Sequence, residues 1–292
     1  MDETEYFMKK YKLMFTIGTR ILDLNNHIRI LYDDLSYPYT HIIEEHYSDE
    51  RFRDTIFMLT PCYPYFSFNG NLISPEMMEG YNNRIFCNFD QFVYEDYKEI
   101  LFQWILDSNI TKVWEWQVNM INIYPDDIRS IVEFMPVRYC KWYEQFRMDR
   151  SAEKIYNVAF IGNINHRRYN LLCNYFSNYS NIKIVSGYGL SKLVYEFDNC
   201  ECILNIHGND GNNQEQLRIL EAICLNIPVV SEISPVNYFP GMVIEVPTAQ
   251  IPQLDIMGKL TDSINQNFDR AGFYKLMTYT DEAFEEYRRL FT

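Results

Sequence analysis

The chain has 292 residues, with 26 basic and 40 acidic side chains and a formal charge of −14. Apolar residues at 47% and charged residues at 23% lie near the globular average, which excludes disordered, collagen-like and coiled-coil classes. The acidic balance argues against a nucleic-acid polymer or an anionic membrane surface as the main partner.

Such a length suits one large domain or two ordinary ones. It can bury roughly three quarters of its unfolded surface without disulfide staples. The opening residues, Met1-Asp2-Glu3-Thr4-Glu5, show neither the basic start nor the apolar run of a secretory signal. The apolar stretch 100–106 is far too short to span a bilayer. Seven scattered cysteines read as reduced thiols of a cytoplasmic protein. Cys200 and Cys202 lack a second pair to complete a zinc site, so no metal is expected.

In chain order, short β-branched or aromatic runs predict strands at 13–17, 55–59, 84–88, 112–116 and 132–135. A second series follows at 158–162, 182–186, 202–207, 228–231 and 243–246. Helix-period segments lie between them. Tyr169, Leu172 and Phe176 recur at one spacing, and Leu217, Leu220, Ile223, Cys224 and Ile227 at the same one. Alternating strands and helices imply parallel sheets covered on both faces. The charged stretch 141–154 carries no strand pattern and marks a domain junction, giving halves 1–150 and 151–292. The last segment, 281–290, predicts an amphipathic helix with Phe284, Tyr287 and Leu290 on one side.

Three constellations in the second half carry chemistry. The first is Gly162-Asn163-Ile164-Asn165-His166-Arg167-Arg168, a polar loop between a buried strand and a helix. Loops at the carboxyl ends of parallel strands are where open α/β sheets bind ligands. Asn165 suits the helix N-cap. Arg167 and Arg168 then fall in the first turn, where the helix dipole disfavours cations by up to about 1 kcal/mol. A diphosphate shared between the helix start and the two arginines removes that penalty. The alternative is two arginines paired to acids of an acidic protein.

The second constellation runs from His207-Gly208 through Gly211 to Asn213, again a strand entering a Gly/Asn loop. Its glycines permit close approach of a ligand to backbone N–H groups. The third is the helix that follows, with Glu215, Arg218 and Glu221 in one polar stripe. Either that stripe is solvated and salt-bridged, or its start faces the same edge as the two loops. A carboxylate there suits ribose hydroxyls and an arginine suits phosphate. The next strand ends in Ser231-Glu232, adding a carboxylate at that edge.

The set Asn205-Ile206-His207, Glu215-Gln216-Leu217-Arg218-Ile219-Leu220-Glu221-Ala222 and Pro228-Val229-Val230-Ser231-Glu232 resembles the nucleotide-binding half of GT-B glycosyltransferases. It is similar in particular to glycosyltransferase family 1-like domains, which carry an Arg-x-x-Glu-Ala helix followed by a Pro-Val-Val strand. The resemblance covers about residues 155–247. It implies two Rossmann-like doubly wound α/β domains facing a cleft, with an acceptor-side domain at 1–150 and a donor-binding domain at 151–292. It also implies that the C-terminal helix crosses back onto the first domain. Gly162, Asn163, Arg167 and Arg168 match the loop that holds donor phosphates, and Glu221 matches the glutamate that binds the donor ribose. His207, Gly208, Arg218 and Glu232 complete the expected donor site. Many retaining members carry a first glutamate eight residues before the second. Here Asn213 holds that position and Glu215 is the nearest acid.

The sequence contains no Asp-x-Asp, the motif with which metal-dependent GT-A enzymes hold a divalent ion. The cations available for leaving-group charge are Arg167, Arg168, Lys183, Lys192 and Arg218. The expected reaction is metal-independent transfer of a sugar from a nucleotide sugar, the substrate rather than a cofactor, to a glycan or other acceptor. A nucleotide-sugar epimerase and a non-catalytic nucleotide-sugar or glycan-binding module are the alternatives. In the first half, residues 14–20 read as a strand and turn. His27, His41, His46, Asp126 and Asp127 are candidate bases, among which spacing selects none. Tyr63, Tyr65, Trp114 and Trp116 could stack on a sugar, but core packing is the default. The second half holds 11 basic and 16 acidic residues, and five of those cations fall between Arg167 and Arg218.

Overall fold

A computed structural model describes residues 20–24, 28–32, 42–43, 45–47, 50–60, 67–68, 71–72, 78–88, 95–140, 154–162, 164–176, 182–185, 199–208, 213–225, 227–253 and 281–292, a few of them by backbone alone. Packing divides the chain into two compact units. One is Met1–Arg138 with Phe284–Thr292, and the other is Tyr139–Ala283. The boundary expected at 150/151 falls within 141–153, outside the described residues, as do the strand at 13–17, Asn163, Lys192, His27, His41, Tyr63 and Tyr65.

The first unit contains a six-stranded sheet. Strand β1 (Arg20–Leu24) pairs antiparallel with β2 (Ile28–Tyr32). From β2 the sheet continues in parallel through β3 (Thr55–Thr60), β6 (Asn83–Asn88), β7 (Lys112–Glu115) and β8 (Val132–Phe134). A small antiparallel pair, β4 (Ser67–Phe68) and β5 (Asn71–Leu72), lies between β3 and β6 in sequence. The pair β1–β2 was not foreseen, because Arg20, Asp23 and Arg29 interrupt the apolar runs there.

Alternation along the strands builds a core on each face. Ile56, Met58, Phe86 and Val113 pack with Leu101, Trp104 and Ile105 of helix α1 (Glu95–Asp107) and Ile128 of the short α2 (Asp126–Arg129). Phe57 and Trp114 point the other way, into an aromatic group with Tyr47 and Phe52. The C-terminal helix, here α5 (Asp281–Arg289), groups with this unit. Phe284 and Tyr287 are buried, and the Arg138 guanidinium lies 4.4 Å from the Phe284 ring. Leu290, expected on the same buried side, is 62% exposed. Phe291 takes its place against Tyr287 and Phe134.

In the second unit five parallel strands are ordered β10-β9-β11-β12-β13. These are β9 (Tyr156–Ile161), β10 (Ile182–Val185), β11 (Cys200–Asn205), β12 (Val229–Glu232) and β13 (Val243–Val246). Their near-continuous apolar runs suit strands buried on both faces, and Val158, Phe160, Leu204 and Val230 are core residues. Cys200 and Cys202 are buried strand residues. Helix α3 (His166–Phe176) follows β9, and helix α4 (Gln216–Cys224) links β11 to β12. Tyr169, expected on the buried side of α3, is 58% exposed, whereas Leu172 is buried. The strand order reverses between β9 and β11. A reversal of that kind opens a crevice at the carboxyl ends of the two strands, the position at which doubly wound sheets bind ligands. Among the described strands of the first unit no such reversal occurs, so the doubly wound order expected for both halves is seen in the second.

Candidate anion-binding site

The reversal point is furnished by the loops that the sequence singled out. After β9, the Gly162 N–H still donates to Val185 of β10, at 3.0 Å. The chain then turns with Gly162 at φ +149°, a region that L side chains rarely adopt. A Cβ at this position would lie 2.5 Å from Nη2 of Arg218, so the glycine also makes room for that guanidinium. Asn165 caps α3 as expected. Its Oδ1 accepts the Arg168 N–H at 2.9 Å, and its amide donates to Gly208 O, tying this loop to the one after β11.

Arg167, Arg168 and Arg218 converge on two carboxylates. Arg167 donates from both terminal nitrogens to Glu232, at 2.6 and 2.9 Å, and also to His207 O at 2.9 Å. Arg168 donates to Ile206 O at 2.9 Å and to Glu215 Oε1 at 2.5 Å. The Gly208 N–H reaches the same Glu215 oxygen at 3.1 Å. Arg218 donates to Asn205 Oδ1 at 2.8 Å, and its Nη1 lies 3.9 Å from Glu215 Oε2. The guanidinium carbons of Arg168 and Arg218 both stand 5.7 Å from the Phe160 ring.

Burial decides how the polar stripe on α4 is read. Arg218 and Glu221 are 3% and 2% exposed, so the stripe is not a solvated face. Likewise, the first-turn arginines of α3 obtain their counter-charge from Glu232 and Glu215. The dipole penalty is therefore relieved within the chain and does not by itself require a bound anion. Three arginines thus meet Glu215 and Glu232 here, with Glu221 buried three residues beyond Arg218 on α4. Burial pulls His207 below its ordinary pKa range, outweighing the neighbouring Glu215 and Glu232, so its ring adds no charge at neutral pH. Burial raises the Glu232 pKa, but hydrogen bonds from Arg167, Thr248 and the His207 N–H outweigh it and hold the carboxylate below its ordinary value. The His207 ring nitrogen Nε2 lies 3.1 Å from the Ser234 hydroxyl.

Gly162, Arg167, Arg168, His207, Gly208, Glu215, Arg218 and Glu232 thus share one network at the strand ends. Glu221 is buried on α4 about 9 Å further along the helix axis than Glu215, at 1.5 Å per residue. Asn213 is buried at the start of the segment leading into α4. Lys183 stands on β10, with its ammonium 5.3 Å from the Tyr156 ring.

Several residues with no role assigned from the sequence support this network. Asn205 bridges Arg218 and the Ser231 hydroxyl, which in turn donates to Glu232 O. Gln214 accepts the Tyr238 N–H and donates toward Asn237 and Glu245. Glu245 also receives the Ser234 N–H and the Asn237 amide. The available signal was an asparagine near the end of an otherwise apolar strand run, Ile203-Leu204-Asn205-Ile206.

The first unit presents a comparable polar end. Glu115 closes β7 fully buried, accepting from the Asn88 amide at 2.7 Å, the Tyr124 hydroxyl at 2.8 Å and the Gln117 N–H at 2.9 Å. Burial raises its pKa to about 8 against the pull of those donors. Of the candidate bases, His46 lies beside Glu45 and edge-on to Tyr47. Asp126 pairs with Arg129, and Asp127 accepts the Ile128 N–H. Trp114 and Trp116 are buried.

No family model matches the chain, and no curated protein matches its sequence. Solved structures with a similar course include TarM, at 10% identity over 90% of this chain and 59% of that one, TM-score 0.48. Accessory secretory proteins 1, 2 and 3 of Streptococcus pneumoniae match at 8% identity over 88% of this chain and 58% of that one, TM-score 0.41. An alpha1,3-fucosyltransferase matches at 12% identity over 83% of this chain and 76% of that one, TM-score 0.31. The chain spans about three fifths of the length of the first two. Among the described residues, no helix is long and apolar enough to cross a membrane.

Proposed function

We propose that the second unit binds a nucleotide sugar and that the chain is a glycosyltransferase of GT-B type. The observation that carries this reading is the convergence of Arg167, Arg168 and Arg218 at the strand-order reversal. A buried, pre-positioned cationic cluster stabilises the charge that develops on a departing nucleoside diphosphate without reorganising during the reaction. In this reading, Arg168 and Arg218 face the diphosphate together with the Gly208 N–H. Glu232 holds Arg167 in place, Glu221 binds the ribose, and no metal is required.

The fork of Arg167 is taken bidentately by Glu232, which favours a second reading, a nucleotide-sugar-binding module without turnover. Incubating the protein with a panel of nucleotide sugars separates the readings. Release of nucleoside diphosphate that rises with an added acceptor supports the transferase. Tight binding without release supports the module, and isomerisation of the donor alone indicates an epimerase.

A further inference from the structure

Two carboxylates sit among the arginines, and they are held differently. Glu232 is fully buried, with both oxygens engaged by Arg167 and one of them also by the His207 N–H. It fastens α3 to the ends of β11 and β12. The Glu215 side chain is 19% exposed and concentrates its bonds on one oxygen, Oε1, which takes both Arg168 and the Gly208 N–H. Its other oxygen, Oε2, is buried, faces Arg218 from 3.9 Å and accepts no hydrogen bond. A loop N–H and two guanidinium groups therefore converge on one half-satisfied carboxylate. Those are the donors that a phosphate group uses.

We infer that Glu215 is an internal competitor. In the ligand-free chain its carboxylate occupies the anion seat formed by Arg168, Arg218 and the Gly208 N–H, and a ligand phosphate must displace it. The inference rests on the nucleotide-sugar reading of this site and adds a determinant of specificity to it. A small free anion brings only its charge and meets an occupied seat. A nucleotide ligand draws on contacts elsewhere to drive the carboxylate out. Glu215 thereby sets the site against inorganic phosphate and diphosphate and in favour of larger phosphate esters.

The test is titration calorimetry with inorganic diphosphate and with UDP and GDP on the wild-type chain, Glu215→Gln and Glu215→Asp. Removing the competing charge with Glu215→Gln is expected to tighten inorganic diphosphate binding by about tenfold or more, and UDP or GDP by a smaller factor. Glu215→Asp, which withdraws the carboxylate by one methylene, is expected to tighten diphosphate by about threefold, and it carries the test if the glutamine variant does not fold. A merely structural role predicts weaker binding in both variants, since loosening Arg168 and the Gly208 loop cannot improve an anion seat. Unchanged or weaker diphosphate binding in a folded variant, with UDP or GDP still bound by the wild type, overturns the competitor and leaves the functional reading standing. Failure of the wild type and both variants to bind any of the three probes overturns both.

Discussion

Replacing Gly162 by alanine tests how the β9 loop and the arginine cluster depend on each other. Two effects act together. At φ +149° an L residue is strained, which costs roughly 1–2 kcal/mol. The new methyl would also stand 2.5 Å from Nη2 and 3.2 Å from Cζ of Arg218, so the guanidinium has to leave its place. Leaving breaks the bond to Asn205 inside a buried site, and hydrogen bonds to charged groups contribute about 1.5–3 kcal/mol. Relaxation of the loop recovers part of this, so a net loss of about 2–4 kcal/mol is expected. For a unit of this size that lowers the melting temperature by roughly 5–15 °C. The assay is thermal unfolding of four proteins: wild type, Gly162→Ala, Arg218→Met and the double variant. Methionine retains the length of the side chain and removes the nitrogen that the methyl meets. In the Arg218→Met background, Gly162→Ala should cost only the backbone strain, giving a coupling of about 1–2 kcal/mol. Equal costs in the two backgrounds would refute the steric link, and a neutral Gly162→Ala would refute the strained turn as well.

Asn205→Leu removes one acceptor of Arg218 while keeping similar bulk, and a loss of about 1.5–3 kcal/mol in chemical denaturation is expected because a buried charge loses a hydrogen bond. In the first unit, the carboxyl of Glu115 titrates at about 8 when folded, against an ordinary value of 4.5. The folded chain therefore holds this proton more tightly than the unfolded one. The contribution of this group to stability is full below 4.5, falls as pH rises toward 8 and levels off above it. Glu115→Gln should flatten that slope, read as melting temperature from pH 5 to pH 9, whereas an unaltered slope would place the titration elsewhere. Phe284→Ala should cost about 3–5 kcal/mol in the first unit, since its ring is buried beneath Arg138, and Leu290→Ala should cost under about 0.5 kcal/mol.

The second unit was the more legible half for a physical reason. Strands buried on both faces must be apolar throughout, so Val158–Ile161 and Ile203–Leu204 stand out in the sequence, and the polar loops at their ends stand out with them. The arginines were visible as cations where a helix dipole disfavours them. Their partners were not, because an ion pair such as Arg167–Glu232 spans 65 positions and leaves no local pattern. The partners of Asn205 and Gln214 were hidden for the same reason, since the bonds of these single polar residues run to distant segments. In the first unit, strands with interspersed charges, such as β1 and β2, lack the pattern that identified the others. Periodicity also misplaced Tyr169 and Leu290. Spacing fixes which residues share a helix face but not where that face ends, and both lie beyond the buried edge.

If the cluster at the β9/β11 reversal receives a nucleoside diphosphate, that ligand stabilises the folded chain. The most direct measurement is the melting temperature of the chain with UDP, GDP and their sugars at millimolar concentration, repeated on Arg168→Ala and Glu221→Ala. A rise of several degrees is expected with at least one of these ligands, as for a ligand present at about 100 times its dissociation constant, with a smaller rise in both variants. No rise with any of these ligands, or a rise unchanged in both variants, would contradict nucleotide binding at this cluster.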